Sequence, residues 1–581
     1  MPNLLAMSFE GALTPAFDLH CLEPGKALPD GWGIACYPGG EPWASVLKEA
    51  SPAQGSLRSA LVSTWERLES SIFLVHIRSA TWGAITEANT QPFHRPWGRR
   101  DWVFGHSGSL VQRLVRKDRF EPVGSTDSEE IFCELLARTA ERNARSLGEL
   151  PPELLLSWLS ELNQFGALTL AITDGLDLAV YADRKGEGGI HLWELLPPHG
   201  EIAFGDKDLT VDLTRRGIRS RKGVMVSSEP LPGRGALAPV WRQLEPGSLM
   251  ILREGAVRAE LKASRPAQVA SAGLPKPTVG RPRPAHQLAR AEVRRYHVLH
   301  RTVYDYTHEV ERSSHLLRLF PQHDLLQTLL DCEVTCSVPG ATREFEDVFG
   351  NRVRRVHLET PYKRLALEAR ATVELKDVDP LDFRPLKVRS TIPLVWMPWQ
   401  RSVLQPFLLP PELPESELAE LTEYAMSFAQ RNDFDVLDTL LDLNHTIYSE
   451  YKYKQGSTNL ATTPFDVYIH RRGVCQDFAN LFICLARLLG VPARYVCGYL
   501  YTGPKHENRA QADASHAWVQ VYLPEVGWKG FDPTNGVLTQ TNHLRVAVGR
   551  NYVDATPTSG TLFVGGGGER LSVEVRMERI E

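Results

Sequence analysis

The sequence lacks a run of about twenty apolar residues, so it predicts no membrane-spanning helix and no membrane partner. Its first residues, Met-Pro-Asn-Leu-Leu-Ala, have neither a basic leader nor a long apolar core, which predicts no signal peptide. Cysteine is sparse: the eight cysteines in 581 residues form no CxxC pair and no disulfide-dense block. This usage favours a reducing compartment, and we expect a cytoplasmic protein.

An excess of positive charge is also lacking, because the formal net charge is −5. This balance argues against a nucleic-acid-binding surface over the whole molecule, and we predict no nucleic-acid partner. The composition, 43% hydrophobic and 23% charged, is that of a globular protein. A chain of this length predicts roughly two to four domains.

Two cysteines lie close together in the sequence Asp-Cys-Glu-Val-Thr-Cys-Ser-Val, as Cys332 and Cys336. Positions four apart share one face of a strand, so the interpretation is a pair of buried thiols rather than a metal site. No other cluster has metal-ligand spacing, and we predict neither a metal nor a cofactor.

The clearest domain boundary is residues 263–292, where prolines stand among Ala, Gly and basic residues. Such a segment has little to bury and predicts an extended, semi-stiff linker. Before it, residues 1–262 form one predicted domain of mixed α+β type. Strand-like runs at 72–77 and 102–106, helical spacing at 128–141 and a hairpin at 168–181 with an Asp-Gly turn support this interpretation.

After the linker, residues 293–385 alternate between polar and apolar types and predict a β-sandwich-like module. Residues 386–581 form the last predicted domain, which begins with proline-punctuated sequence and then has helices between residues 415 and 451. The glycine run at 565–568 predicts a turn between two closing strands. It lacks the strand-then-helix context and the lysine of a phosphate-binding loop.

The chemistry is concentrated near the end of the chain. Cys475 begins a run whose apolar spacing predicts a helix packed by one face. A helix N-terminus has unpaired N–H groups and a partial positive charge, which favour a thiolate and offer donors to an oxyanion. Gln476 is a candidate oxyanion donor beside it, and a role in the fold alone is the alternative interpretation.

Two further residues complete a possible catalytic set. His516 begins an apolar strand, and Asp532 ends the next one. An imidazole can hold the proton of a thiol, and a carboxylate can orient that imidazole. We therefore predict that Cys475, His516 and Asp532 are the nucleophile, the base and the orienting carboxylate.

The sequence around these residues resembles the bacterial transglutaminase-like family. The resemblance lies in residues 473–479 (Gly-Val-Cys-Gln-Asp-Phe-Ala), 490–499, 515–518 (Ser-His-Ala-Trp), 527–536 and 546–557. The β-rich stretch from about residue 295 is similar to the module that precedes this domain in the family. The resemblance implies a papain-like cysteine fold that attacks an amide and passes through a thioester.

The first 260 or so residues resemble class II glutamine amidotransferase domains. The resemblance lies in residues 3–8, 30–35, 76–81, 87–93, 102–110 and 124–130. That family's nucleophile is a cysteine directly after the initiator methionine, and here the position holds Pro2, which has no thiol. The family's His-Asn-Gly asparagine is replaced by Ser107, ahead of Gly108, and loss of such an oxyanion donor costs about 10²–10³ in rate.

Residues that the resemblance assigns to glutamine binding are retained. Arg78 would clamp a carboxylate, and Asp127 would pair with an ammonium group. We therefore expect a non-catalytic domain that binds or scaffolds, with Ser107 and Gly108 at the same place. The alternative interpretation is that both charged residues now serve structure alone.

Taken together, the sequence predicts an α+β multidomain protein. It consists of an N-terminal nucleophile-type amidotransferase-like α/β sandwich, a β-sandwich-like module and a papain-like transglutaminase core. The expected function is that of a transglutaminase-like cysteine enzyme acting on an amide, peptide or isopeptide bond. The resemblance implies a peptide or isopeptide substrate and a peptide-forming ligase as partner.

The triad is common to hydrolysis, deamidation and cross-linking. Hydrolysis is favoured because it requires no second substrate site. Two alternatives remain open at this point: a non-catalytic binding or scaffold protein, and a glutamine amidotransferase that supplies ammonia.

Overall fold

The computed structural model describes residues 4–19, 29–53, 56–64, 69–78, 84–111, 114, 119–200, 202–206, 209–213, 221–234, 238–262, 293–376, 378, 380–381, 390–456, 461–503 and 515–580. The predicted linker, Pro2 and Cys21 lie outside these residues. The chain divides into two units, Met1–Leu274 and Pro275–Glu581. Among the described residues, no helix has both the length and the apolar character needed to cross a membrane.

The N-terminal unit is built from strands that are buried on both faces. Along the first strand, Leu4 and Ala6 point into one core, whereas Leu5 and Met7 point into another. Because side chains alternate along a strand, this pattern requires a layer on each side of the sheet. The elements are β1 Leu4–Leu13, β2 Ala16–Leu19, β3 Gly31–Cys36, β4 Ser45–Glu49, α1 Leu57–Thr64, β5 Ser70–Arg78, β6 Phe93–Trp97, β7 Arg100–Ser107, α2 Asp127–Glu141, α3 Pro152–Leu162, β8 Thr169–Thr173, β9 Leu178–Tyr181, β10 His191–Leu195, β11 Ala203–Gly205, β12 Leu209–Asp212, β13 Gly223–Ser227, β14 Arg242–Gln243, β15 Ser248–Arg253 and β16 Ala256–Lys262.

Two large sheets face each other in this unit. Their strand orders are β14-β10-β13-β1-β5-β3-β4 and β16-β15-β9-β8-β7-β6. Helices α2 and α3 pack on the outer face of the second sheet, and the small sheet β11-β12-β2 lies with α1 against the first. This arrangement confirms the predicted α/β sandwich, including the helix at 128–141 and the β8–β9 hairpin.

The C-terminal unit begins with one strand of 25 residues. Its first part pairs with β21 and β30, and its second part with β20 and β29, so a single strand has two sets of neighbours. The elements are β17 Val293–Leu317, β18 Gln327–Cys336, β19 Ala341–Glu346, β20 Arg352–Leu358, β21 Tyr362–Lys376, α4 Pro398–Leu404, α5 Glu415–Arg431, α6 Val436–Glu450, β22 Lys452–Tyr453, α7 Pro464–His470, β23 Arg472–Gly473, α8 Cys475–Leu488, β24 Ala493–Leu500, β25 His516–Leu523, β26 Gly527–Asp532, β27 Val537–Leu538, β28 His543–Gly549, α9 Tyr552–Ala555, β29 Thr558–Gly565 and β30 Glu569–Arg579.

The β-rich module therefore includes strands from the far end of the chain. The glycine run lies between β29 and β30, as predicted for a turn between closing strands. The prediction that Cys332 and Cys336 are buried thiols is wrong, because both are only half-buried. Their strand, β18, is the edge strand of its sheet, which leaves one side uncovered.

The remaining part of this unit packs helices against a five-stranded sheet of order β27-β26-β25-β24-β28. Alternate residues of β25, Ala517, Val519 and Val521, meet the apolar face of α8, with Phe478 and Phe482 at its centre. This packing matters for function because it fixes the start of α8 relative to the start of β25. The predicted helices between residues 415 and 451 are confirmed as α5 and α6.

Candidate active site

The nucleophile candidate is the first residue of a well-capped helix. Cys475 begins α8, and the N–H of Val474 donates to a carboxylate oxygen of Asp477 over 2.8 Å. This hydrogen bond gives the Val474 N–H an acceptor at the N-terminus of the helix, and it fixes the position of Val474 directly before Cys475. Cys475 itself is half-buried and free. The start of the helix at Cys475 agrees with the sequence prediction.

The segment before Cys475 is held by an arginine that sequence reasoning missed. Arg471 is 2% exposed and has a left-handed φ of 49°. Its guanidinium lies over the rings of Tyr424, Tyr451 and Tyr468, at 5.0, 4.7 and 5.3 Å from their centroids. Its Nη1 also donates to the Tyr424 hydroxyl over 2.9 Å. Cation–π contacts and a buried hydrogen bond therefore anchor the turn that delivers the thiol.

The candidate base and the candidate orienting carboxylate come from neighbouring antiparallel strands. His516 is the first residue of β25 and Asp532 the last of β26, and the register pairs Val519 with Phe531. His516 Nε2 donates to Asp532 Oδ2 over 2.8 Å, with both side chains buried. The Cys475 side chain lies near enough to His516 that its charge and hydrogen bonding act to raise the pKa of the imidazole. Because Nε2 is used by Asp532, Nδ1 is the ring nitrogen available to the thiol.

The electrostatics of this pair follow from burial and contact. Burial alone would lower the pKa of His516, but the charge and hydrogen bond of Asp532, with those of Cys475, raise this pKa to about 10. Burial likewise works to raise the pKa of Asp532, but His516 and then His543 hold it far below its usual value. Asp532 is therefore ionised, and the imidazole retains a proton strongly.

Asp532 is held by further donors that sequence reasoning did not assign. Its Oδ1 accepts the backbone N–H groups of Thr534, at 3.0 Å, and Asn535, at 3.2 Å. Its Oδ2 accepts the Asn535 side-chain amide at 2.7 Å and His543 Nε2 at 3.0 Å. The Asp-Pro-Thr-Asn sequence predicts a turn in which Thr534 and Asn535 donate to Asp532, whereas no local pattern predicts that His543 also donates to it.

The predicted oxyanion donor lies next to the thiol. Gln476 is the second residue of α8 and is half-buried. The N–H groups of a helix's first turn have no intrahelical acceptor, so the main chain at Cys475 and Gln476 is suited to an oxyanion. The role of the Gln476 side chain remains a prediction.

Among the described residues, one group has potential metal ligands close together: His516, Asp532 and His543, with ligand atoms within 4.8 Å of one another. These atoms are already joined by N–H···O hydrogen bonds. A metal there would compete with the hydrogen bonds that orient the base.

The structure also places the candidates of the N-terminal unit. Arg78 ends β5, is buried, and donates from Nη2 to the Ala84 carbonyl over 3.2 Å. The Asn89 amide donates to the same carbonyl over 3.0 Å, and its oxygen accepts the N–H of Ser125 at 2.8 Å. Ser125 stands two residues before Asp127. Arg78 and the start of α2 are thus connected through Ala84 and Asn89.

Asp127, at the start of α2, lies close to the turn that contains Ser107 and Gly108. Asp127 Oδ2 accepts the N–H of Leu110 at 2.7 Å. Ser107 ends β7, and Gly108 has a φ of 147° that favours glycine. A Cβ on Gly108 would lie 2.2 Å from the Ala167 carbonyl oxygen. These contacts bring Asp127 beside the turn after β7, and Pro2 lies outside the described residues.

The fold and the site together define a two-unit protein with a cysteine–histidine–carboxylate site in its second unit. Comparisons with known proteins agree with this description. The model of the family "Glutamine amidotransferases class-II" matches residues 1–276, "Bacterial transglutaminase-like N-terminal region" matches 296–374, and "Transglutaminase-like superfamily" matches 424–533. The N-terminal region of the chain is therefore class-II amidotransferase-like, and the C-terminal region has a transglutaminase-like N-terminal module and core.

Three similar proteins illustrate these matches, and each of the three covers less than half of the chain. An uncharacterized protein of Methanocaldococcus jannaschii is 32% identical over 44% of this chain and 70% of its own length. An uncharacterized protein of Mycobacterium tuberculosis is 32% identical over 48% of this chain and 91% of its own length. A solved structure of a predicted glutamine amidotransferase from Pseudomonas aeruginosa is 27% identical, with a TM-score of 0.37, over 44% of this chain and 99% of that one.

Proposed function

We propose that this protein is a cysteine enzyme that cleaves an amide, peptide or isopeptide bond through a thioester on Cys475. The observation that supports this most is the buried His516–Asp532 hydrogen bond, with the Cys475 thiol near enough to His516 to raise the pKa of the imidazole. A nucleophile, a base within reach and a buried carboxylate that orients the base are the three parts that acyl transfer requires.

Each residue has a defined part in the proposed reaction. The Cys475 sulfur attacks the carbonyl carbon of the amide, and His516 Nδ1 holds the proton that the thiol has lost. The oxygen of the tetrahedral intermediate accepts N–H donors at the start of α8. Collapse breaks the C–N bond as His516 returns the proton to the leaving amine, and a thioester remains.

The second half of the reaction restores the enzyme. His516, now neutral, takes a proton from water as the water oxygen attacks the thioester carbon. The C–S bond then breaks and the carboxylic acid leaves, so that the released Cys475 thiolate again faces a protonated His516. Asp532 stays ionised throughout, and it holds Nε2 so that Nδ1 faces the sulfur.

Among acyl acceptors, we favour water, so that the reaction is hydrolysis rather than deamidation or cross-linking. Hydrolysis needs no site for a second substrate. The proposed substrate is a peptide or isopeptide, and a peptide-forming ligase is the proposed partner. The seven cysteines that the structure describes are all free thiols, which supports the proposal of a reducing, cytoplasmic location.

For the N-terminal unit we propose binding without covalent catalysis. Pro2 replaces the nucleophile of the class-II amidotransferases, and a proline nitrogen cannot form a thioester. Arg78 and Asp127 are retained, and the structure connects their segments. The proposed ligand is a glutamine-like or amino-acid end group that presents both a carboxylate and an ammonium.

Product masses from a peptide and isopeptide library test the enzymatic proposal. The full-length protein is expected to produce cleavage products, whereas Cys475→Ala produces none. Cys336→Ala, which removes a half-buried thiol elsewhere in the same unit, serves as the matched control and should retain activity. A mass gain of about one unit without cleavage would indicate deamidation, and joined peptides would indicate cross-linking. Unchanged products from Cys475→Ala would refute the proposal.

Isothermal titration with glutamine tests the binding proposal. The full chain carrying Cys475→Ala is the parent, so that turnover does not contribute heat. Binding in the millimolar range should disappear in Arg78→Met and persist in Arg58→Met, which removes an exposed arginine of the same unit. No heat from the parent protein would contradict binding, and ammonia release from glutamine would instead favour an amidotransferase.

A further inference from the structure

The Asp532 carboxylate contacts two imidazole rings through the same oxygen. His516 Nε2 lies 2.8 Å from Oδ2, and His543 Nε2 lies 3.0 Å from it. The side chains of all three residues are at most 2% exposed. His543 begins β28, whereas Asp532 ends β26, so the second ring comes from a strand that does not pair with β26. The transglutaminase-like match ends at residue 533, ten residues before His543.

The hydrogen bonds around His543 define where its proton is. Its Nδ1 lies 3.3 Å from the backbone N of Gln540, and a main-chain N–H only donates. Nδ1 is therefore an acceptor, which leaves the proton on Nε2, the atom that faces Asp532. Asn542 Oδ1 is placed 2.8 Å from Nδ1, and both atoms would then be acceptors. Exchanging the oxygen and nitrogen of the Asn542 amide, which differ little in shape, turns its NH₂ group toward Nδ1 as a second donor.

The charge state agrees with this tautomer. Burial lowers the pKa of His543, against the smaller opposing effect of Asp532, so the ring is neutral. A neutral Nε2–H donor stabilises the ionised carboxylate and adds no second cation beside His516. The His543 ring is also fixed by Trp518, whose ring crosses it edge-on at 5.3 Å. The donor is therefore held in place as well as correctly protonated.

We propose that His543 is a positioning residue for the acyl-transfer site. Its side chain holds the Asp532 carboxylate in the orientation that His516 requires. The proposal rests on the proposed function of Cys475 and deepens it. Oδ2 receives three side-chain donors, from His516, His543 and Asn535, while two backbone N–H groups hold Oδ1. A carboxylate fixed at both oxygens cannot rotate away from the base. His543 touches neither the thiol nor the reacting carbonyl in this scheme.

Two substitutions separate the hydrogen bond from the packing of the ring. His543→Gln keeps an N–H donor but loses the aromatic contact with Trp518. His543→Phe keeps the ring but has no donor. A cavity of about 150 Å³ borders His543, so the neighbourhood has room for either side chain.

The test is the alkylation rate of Cys475 by iodoacetamide in the full-length protein, measured across pH by peptide mapping. This readout requires no substrate. At metal sites, loss of an outer hydrogen-bonding partner typically costs about 10- to 100-fold, and we expect a reduction of the same order in the alkylation rate of His543→Phe near neutral pH. His543→Gln should stay close to the wild-type rate, since its donor is retained. With a cleavable substrate, kcat should fall in His543→Phe while KM is unchanged.

The outcomes distinguish the positioning role from other failures. Equal rates in both variants, whether normal or slow, would overturn the role of the donor, as would a slow Gln variant beside a normal Phe variant. If Cys475 of the wild type reacts no faster than Cys336, the proposed function fails before His543 is in question. A reactive wild type with unaffected variants leaves the proposed function intact and refutes the positioning role alone.

Discussion

His516 and Asp532 form a buried pair in which Nε2 lies 2.8 Å from Oδ2 and neither side chain is more than 1% exposed. The contact joins the first residue of one strand to the last residue of the next, so the β25–β26 hairpin sets its geometry. Because a buried carboxylate faces a buried imidazole, the pair should affect stability as well as catalysis.

The stability contributed by this pair should depend on pH with a defined sign. The folded-state pKa of His516, about 10, lies above its ordinary value of 6.5. Its contribution is therefore complete below pH 6.5 and is lost as pH rises through about 10. The pKa of Asp532 is depressed below its ordinary value of 3.8. The stability that Asp532 contributes is therefore lost as pH falls below 3.8.

Urea denaturation of the wild type and His516→Gln across pH measures this effect. The difference in unfolding free energy should be largest between pH 4 and 6.5 and should decline toward pH 10. Asp554→Asn, which removes an ion pair elsewhere in the same unit, provides a comparison. A difference for His516→Gln that stays constant from pH 6 to 10 would contradict the assigned charge states.

Thiol labelling should select Cys475 among the cysteines of the catalytic core. Burial raises the pKa of Cys484 and of Cys497 to about 12, so at neutral pH these thiols are almost entirely protonated. Cys475 is half-buried, starts a helix and contacts His516. Iodoacetamide should modify Cys475 first, and His516→Gln should slow that reaction. Labelling of Cys484 or Cys497 at a comparable rate in the native protein would be inconsistent with the structure.

Removal of the Arg471 side chain should destabilise the protein. Arg471→Met loses three aromatic contacts and the hydrogen bond to Tyr424, at a cost of about 2 kcal/mol or more. The matched control is Arg472→Met, since Arg472 is the next residue and is exposed. Denaturant unfolding should separate the two variants. Equal stability for both would show that Arg471 does not anchor the turn before Cys475.

Much of the fold was predictable because its signals are local. Short apolar runs located β5 and β7, helical spacing located α2 and α8, and an Asp-Gly turn located the β8–β9 hairpin. The Cys475 helix start and the strand positions of His516 and Asp532 follow from the same kind of pattern. The resemblance to two families identified which of these positions carry chemistry.

Other features depend on contacts between distant parts of the chain, which no local pattern contains. Strand β17 pairs with β29 and β30, more than 240 residues away. Arg471 binds tyrosines from two preceding helices and a connecting turn, and an arginine beside a second arginine looks like an ordinary surface charge. His543 gives no signal either, since only the folded sheet brings it to Asp532. The half-buried state of Cys332 depended on which strand became the edge.

The most direct test of the central claim is peptide mapping of the full-length protein after acid quench during turnover of a cleavable library substrate. A thioester on Cys475 is expected, as a peptide whose mass is increased by the acyl group and which loses that group on treatment with hydroxylamine. Cys336→Ala should show the same adduct, and Cys475→Ala should show no adduct and no product. Product formation by Cys475→Ala, or an adduct on another residue that accounts for turnover, would contradict the account.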